Sequence, residues 1–97
     1  MRLFITGIKG QLGSEIARQA SNDHDVIGGD LPDFDITNRS QVAAAFAAHR
    51  PALIIHCAAF TNVDGAARDP ETAYRINGLG TQNIALACAE NNIEMLY

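Results

Sequence analysis

The chain has 97 residues, 47% of them hydrophobic and 19% charged, with a formal net charge of −4; these are the proportions of one modest globular domain with a small core. Seven Lys and Arg stand against 11 Asp and Glu with no basic cluster, which leaves no electrostatic footprint for nucleic acid or an anionic membrane. No apolar stretch approaches the ~20 residues that cross a bilayer, and a single Arg before a short strand is not a signal-peptide pattern, so a cytoplasmic location is expected.

The apolar run Leu3-Phe4-Ile5 reads as a first strand, and Thr6-Gly7-Ile8-Lys9-Gly10-Gln11-Leu12-Gly13 follows it directly. Gly7, Gly10 and Gly13 recur at three-residue intervals. The first permits a sharp turn out of the strand, the second a close backbone approach to a pyrophosphate, and the third close packing of the next helix on the sheet. A helix opening there presents unpaired N–H groups and a partial positive charge to an anion. Leu12, Ile16 and Ala20 set the period of that helix from near Gln11, and Val26-Ile27 begins a second strand that ends in Gly28-Gly29-Asp30. Strand, glycine turn, helix and strand thus fill the first thirty residues, which is the context that raises a glycine triplet above chance.

Asp30 stands 20 residues after Gly10, the distance at which a carboxylate at the tip of the second strand accepts hydrogen bonds from the hydroxyls of an adenine ribose. The plainer reading is a polar turn before Leu31-Pro32.

Asp35-Ile36-Thr37 can form a very short edge strand, and Asn38 with Gln41 three residues later forms a capping pair for a helix carrying Val42, Ala45 and Phe46 on one side. Pro51 stops that helix after His49-Arg50, whose basic side chains suit its negative end. Leu53-Ile54-Ile55-His56-Cys57 is a continuous aliphatic run suited to a parallel strand covered on both faces. Asp69-Pro70-Glu71 is a helix start, with a capping acid, proline at the first position and a second acid near the positive end. The pattern predicts a long helix from Pro70 to about Glu90 with Ala73, Ile76, Asn77, Gly80, Ile84 and Cys88 or Ala87 turned inward, ended by Asn91-Asn92. Ile93 to Tyr97 begins a last strand. Cys57, at the end of the Leu53-Cys57 strand, and Cys88, in the long helix, read as small core thiols, with no metal site expected.

These elements alternate as α/β and predict a Rossmann-type doubly wound parallel sheet with strand order 3-2-1-4-5, a nucleotide lying across the carboxyl ends of strands one and four. The whole span, 1–97, reads as one NAD(P)-binding domain. A sheet that stops on a central strand reads as truncated, the amino-terminal portion of a longer protein.

The succession of Thr6-Gly7-x-x-Gly10-Gln11-Leu12-Gly13, Asp30, Asp35-Ile36-Thr37, Arg50-Pro51, Cys57-Ala58-Ala59-Phe60-Thr61-Asn62-Val63-Asp64 and Asn77-x-x-Gly80 resembles the amino-terminal part of the dTDP-4-dehydrorhamnose reductases. These belong to the extended short-chain dehydrogenase/reductase superfamily. The resemblance runs from Arg2 to Tyr97; the Gly-Gln-Leu-Gly turn and the Ala-Ala-Phe-Thr-x-Val-Asp run are specific to the reductase branch, and the rest is shared across the superfamily. The sequence departs from the family at Gly65, Ala66 and Ala67, where a lysine, an alanine and a glutamate are usual.

The resemblance implies that Gly7, Gly10, Gln11 and Leu12 wrap a diphosphate and that Asp30 holds the adenosine ribose. It implies further that Asp35 reaches the adenine amino group, that Ile36 flanks the ring, and that Ala58, Ala59, Phe60 and Thr61 lie along the nicotinamide-side ribose. Each has a plain counterpart: Ala58-Ala59 as tight packing, Thr61-Asn62 as a polar turn, His56 as a hydrogen-bonded strand histidine rather than a catalytic one, and Asn77 as a side chain bonded to a neighbouring loop. Charge favours NADH over NADPH, because Asp30 and nearby Asp33 repel a 2′-phosphate and no Arg lies between Gly28 and Asn38; Lys9 and Arg39 are the cations that can still admit NADPH.

The family reduces its ketosugar with a Tyr-x-x-x-Lys pair aided by a Ser or Thr, the tyrosine delivering a proton while the lysine lowers its pKa. Here Tyr74 is followed four residues later by Gly78, and Tyr97 is the last residue, so no residue is named catalytic and the chain alone is expected to be inactive. The implied parent is a reductase converting dTDP-4-dehydrorhamnose to dTDP-rhamnose, taking a nucleotide sugar bound mainly outside this span, with a homodimer as its assembly. Two alternatives use the same cofactor half: a non-catalytic regulatory subunit of this branch, such as that of methionine adenosyltransferase, and an epimerase or dehydratase of another nucleotide sugar. A flavodoxin-like mononucleotide module is disfavoured by the glycine spacing.

Overall fold

In the computed structural model, which describes residues 1–30, 33–57 and 70–96, the aliphatic runs become four parallel strands. They are β1 (Arg2–Thr6), β2 (Asp25–Gly29), β3 (Leu53–His56) and β4 (Glu94–Leu96), in the order β2-β1-β3-β4. Helix α1 (Gln11–Ala20) joins β1 to β2, and α2 (Arg39–His49) joins β2 to β3. The last helical stretch consists of α3 (Pro70–Tyr74), a π-helical turn (Arg75–Leu79) and α4 (Gly80–Asn91).

Placing β1 at the centre sets its pattern: alternate residues face opposite layers, so a strand covered on both faces must be apolar throughout. Leu3, Phe4 and Ile5 are all buried. Phe4 shares one face with Ile54, and against them pack Val42 and Phe46 of α2, Ile84, Ala87 and Cys88 of α4, and Phe34 and Ile36 of the connection before α2. The Phe4 ring lies 5.3 Å from Phe34 and 6.0 Å from Phe46, tilted by 60° and 61°, an edge-to-face arrangement that adds to their area burial. Leu3 and Ile5 point to the other face, where α1 packs against β1 and β2. The chain reverses its direction across the sheet after β2, and crossovers of one hand then place α1 on one face and α2 and α4 on the other.

The four strands keep the expected order, but the short edge strand expected at Asp35-Ile36-Thr37 is a turn. The Asp35 side chain closes it: Oδ1 accepts from both the Thr37 N–H (2.9 Å) and the Thr37 hydroxyl (2.7 Å), and the Asn38 N–H donates to the Asp35 carbonyl at 3.0 Å. This local bonding competes with a sheet ladder and wins in so short a segment. Asn38 caps α2 as expected, its Oδ1 accepting from the Gln41 N–H at 3.2 Å. The Gln41 side chain does not return the bond; its Oε1 accepts from the Asp35 N–H at 2.9 Å and so ties the cap to that turn. Helix α2 ends on Arg50 in the left-handed region (φ 48°), just before buried Pro51.

The long helix is present but not uniform. A π turn inserts an extra residue into the helical period, and the phase of the inward face shifts across it. Asn77, expected inward, is exposed, whereas Gly80, Ile84, Ala87 and Cys88 are buried as expected. The side chains of Ala73 and Ile76 lie outside the described residues. Asn92 ends α4 in the left-handed conformation (φ 55°). Cys88 is in the core and Cys57 is half-buried, and both are free thiols.

Phe46, 2% exposed at the centre of the aromatic cluster, tests this core. Truncating Phe46 to Ala is expected to cost about 3–5 kcal/mol, read as a lowered urea midpoint at unchanged slope. A loss below about 1 kcal/mol would place the ring outside the core.

Candidate dinucleotide-binding edge

All four strands run in one direction, so whatever follows them emerges along one edge of the sheet. Thr6 is paired with Gly29 on one side and His56 on the other, and Gly7, Asp30 and Cys57 therefore leave the sheet in a row. Ligands of open α/β sheets bind at such a carboxyl edge, where crossovers diverge to opposite faces.

Gly7 takes φ 69°, a conformation that costs an L side chain energy and glycine almost nothing. Its carbonyl oxygen accepts from the Gly10 N–H (3.0 Å), and its own N–H donates to the Gly29 carbonyl of β2 (2.9 Å). A Cβ on Gly13 would overlap the Gly7 carbonyl, so the first turn of α1 lies directly on the bend. Gly10, the N-cap, supplies no side-chain hydrogen bond to α1, and the opening N–H groups have no capping side chain to satisfy them. Gln11 and Leu12 are exposed beside them, Leu12 at 64%. The tight bend, the uncapped helix start and the lack of room for a Cβ fit the diphosphate of a dinucleotide.

Asp30 closes the same bend, its Oδ2 accepting from the Lys9 N–H at 3.1 Å. The acid from the tip of β2 is thus in direct contact with the glycine turn. Arg39, one of two cations able to approach a 2′-phosphate, is instead paired with Glu90 of α4 at 3.0 Å.

Next along the edge is a polar relay inside the protein. Thr6, fully buried, has its Oγ1 2.6 Å from Nδ1 of His56, and His56 Nε2 lies 2.9 Å from Thr81 Oγ1 on α4. The Cys57 N–H donates to both the carbonyl and the hydroxyl oxygen of Thr6, each at 3.1 Å. His56 is therefore a packed strand histidine bonded at both ring nitrogens. Burial holds its pKa below the ordinary imidazole value, since removal from water disfavours the charged form. Burial likewise pushes the Cys57 and Cys88 thiols up, which makes them poor nucleophiles.

The turn Asp35–Thr37 lies on the Phe4 face of β1. Ile36 is 6% exposed and belongs to the core, its side chain directed at Gly80, so a ligand can meet only its backbone and the rim of its side chain. Asp35 remains half-buried at the surface. Behind the turn the buried amide of Asn83 donates from Nδ2 to the Ile36 carbonyl at 2.9 Å. Sequence reasoning passed over Asn83 and Thr81; the available signal was an amide at the inward phase of an apolar stripe, three residues after Gly80. Ala58, Ala59, Phe60 and Thr61, assigned to the nicotinamide side, lie outside the described residues. Among the described residues no three His, Cys, Asp or Glu side chains gather as a metal site, and no helix is long and apolar enough to cross a membrane.

A family model described as the RmlD substrate binding domain matches residues 1–97. The dTDP-4-dehydrorhamnose reductase of Aggregatibacter actinomycetemcomitans is 36% identical over 98 residues, which cover 99% of this chain and 33% of that protein. Among solved structures, the dTDP-4-dehydrorhamnose reductase of Bacillus anthracis in complex with NADP superposes with a TM-score of 0.91 at 39% identity, over 99% of this chain and 35% of that one. The UDP-glucose 4-epimerase of Thermus thermophilus in complex with NAD reaches the same TM-score at 28% identity, over 99% and 36%. The chain thus spans about a third of the length of these relatives.

The lowered pKa of His56 has a sign in stability. From the lowered value up to the ordinary one near 6.5, the unfolded chain binds the proton and the native chain does not, so stability rises with pH and levels off above that window. The urea midpoint of the wild type relative to His56→Gln should climb as the pH rises towards the ordinary imidazole value near 6.5 and level off above it. Parallel pH profiles would show that His56 does not titrate differently on unfolding.

Proposed function

Because the chain belongs to the family of the RmlD substrate binding domain, we propose that it is the dinucleotide-binding part of an NAD(P)H-dependent reductase acting on dTDP-4-dehydrorhamnose to give dTDP-rhamnose. The observation that carries this reading is the 3.1 Å bond from the glycine turn to Asp30, which joins a diphosphate seat to a ribose-binding acid. Gly7, Gly10, Gln11 and Leu12 hold the diphosphate, Asp30 the adenosine ribose, the Asp35-Ile36 turn the adenine, and Ala58, Ala59, Phe60 and Thr61 the nicotinamide-side ribose.

The bound cofactor supplies the hydride. The chain's own task is to orient it: the helix start offers N–H groups to the phosphates, and the small residues after β3 let backbone approach the sugar. The proton donor of such a reduction is absent from this sequence, in which Tyr74 is followed by Gly78 where the Tyr-x-x-x-Lys pair needs a lysine. On this reading the 97 residues bind cofactor without turning over substrate, and the nucleotide sugar is held mainly by residues outside them. The parent is a cytoplasmic homodimer.

NADH is the preferred cofactor on charge grounds. Asp30 and Asp33 are both acidic, and the pairing of Arg39 with Glu90 leaves Lys9 as the cation nearest the turn. A nucleotide-sugar epimerase is the second reading, favoured by the likeness to the Thermus thermophilus epimerase; the higher identity to the Bacillus anthracis reductase puts the reductase first.

Titrating NADH and NADPH into the wild type and Asp30→Ala checks the assignment. Removing a carboxylate that accepts ribose hydroxyl bonds is expected to weaken NADH about tenfold, and NADPH less, because the same change removes a repulsion from its 2′-phosphate. An equal loss for both would remove Asp30 from the ribose and leave it only the turn.

A further inference from the structure

Asn83 is a buried polar side chain that the proposed cofactor contacts do not use. It is 7% exposed on α4, and its amide donates to the carbonyl of Ile36, 47 residues away, at 2.9 Å. Three residues earlier on the same helix, Gly80 has no room for a Cβ because the Ile36 side chain occupies the space. Backbone and side chain of one residue are thus held by one turn of α4, immediately after the π turn Arg75–Leu79. An amide so buried is costly unless bonded. An apolar side chain would be the natural occupant of this inward position beside Ile84 and Ala87.

We propose that Asn83 is a positioning residue for the adenine end of the site: it fixes the Ile36 carbonyl, and with Gly80 it sets where the Asp35–Thr37 turn presents itself at the cofactor edge. Apart from the packing of Phe34 and Ile36 in the core, the turn's hydrogen bonds are its own, Asp35 Oδ1 to Thr37 and the Asp35 N–H to Gln41 Oε1; these fix its shape and its place on α2, not the depth at which the Ile36 backbone sits against α4. Asn83 and Gly80 connect the turn to α4, the helix whose Thr81 bonds to His56 at the end of β3. Adenine placement is in this way referenced to the same helix that braces the strand leading to the nicotinamide side.

The inference rests on the dinucleotide reading above, and the test separates the two. Three probes are titrated into the wild-type chain and Asn83→Ala by chemical-shift perturbation: 5′-AMP for the adenine end, nicotinamide mononucleotide for the other, and inorganic pyrophosphate for the glycine turn. The expected result is a loss of about tenfold for 5′-AMP, with nicotinamide mononucleotide and pyrophosphate within about twofold of the wild type. Amide shifts should be displaced at Asp35, Ile36 and Thr37. Asn83→Leu, close in shape to Asn, apolar and lacking the donor, gives the same comparison if truncation unfolds the chain. Unchanged 5′-AMP affinity, or an equal loss for all three probes, overturns the positioning role while leaving the dinucleotide reading in place. A wild-type chain that binds none of the probes overturns both.

Discussion

The contact between Gly13 and the Gly7 carbonyl is the constraint on which the rest of the site depends. No side chain fits between them, so α1 begins on the end of β1 and its opening N–H groups face outward from the carboxyl edge of the sheet. Two further bonds lock the bend to β2: Gly7 N–H to the Gly29 carbonyl, and Lys9 N–H to the Asp30 carboxylate. The helix start and the Asp30 carboxylate, proposed above to hold the diphosphate and the ribose, are then spaced by a strand pair rather than by a loop, so that the entropy of assembling them is lost in folding and not at binding. The central place of β1 makes this work, since a strand with neighbours on both sides can deliver one binding group from each.

Much of this was legible because the decisive signals are local. Glycines at fixed offsets, an acid twenty residues on, the Asn38 cap and the Pro51 stop each depend on a few neighbouring residues, and local chemistry survives folding unchanged. The misreadings have the opposite character. Asp35-Ile36-Thr37 carries a β-compatible pattern, yet the Asp35 side chain satisfies the backbone that a neighbouring strand would have satisfied. Asn77 fits the inward phase only if the helix is uniform, and the π turn breaks that assumption. No short-range rule marks where an extra residue enters a helix.

The buried polar groups were the least legible part, and their placement has a reason. Among the described residues no buried side-chain nitrogen or oxygen lacks a partner, as the cost of desolvating an unpaired group demands. Yet those partners lie far apart in the chain: Thr6 with His56, His56 with Thr81, Asn83 with Ile36. A sequence shows each residue singly as a minor flaw in an apolar pattern; only the tertiary fold shows that the flaws pair.

Helix α4 makes the division of labour visible along its own length. Helices that link parallel strands run against them, so the start of α4 lies at the carboxyl edge of the sheet and its end at the opposite edge. Gly80, Thr81 and Asn83 occupy the start and bond or pack against the elements of the proposed site. Ile84, Ala87 and Cys88 follow and fill the core with Phe4, Phe46 and Ile54. The apolar half fixes the helix on the sheet, and a helix so fixed can hold polar contacts at its other end in one geometry. Stability and placement thus fall to successive turns of the same helix, and a change in either half reaches the site by a different physical route.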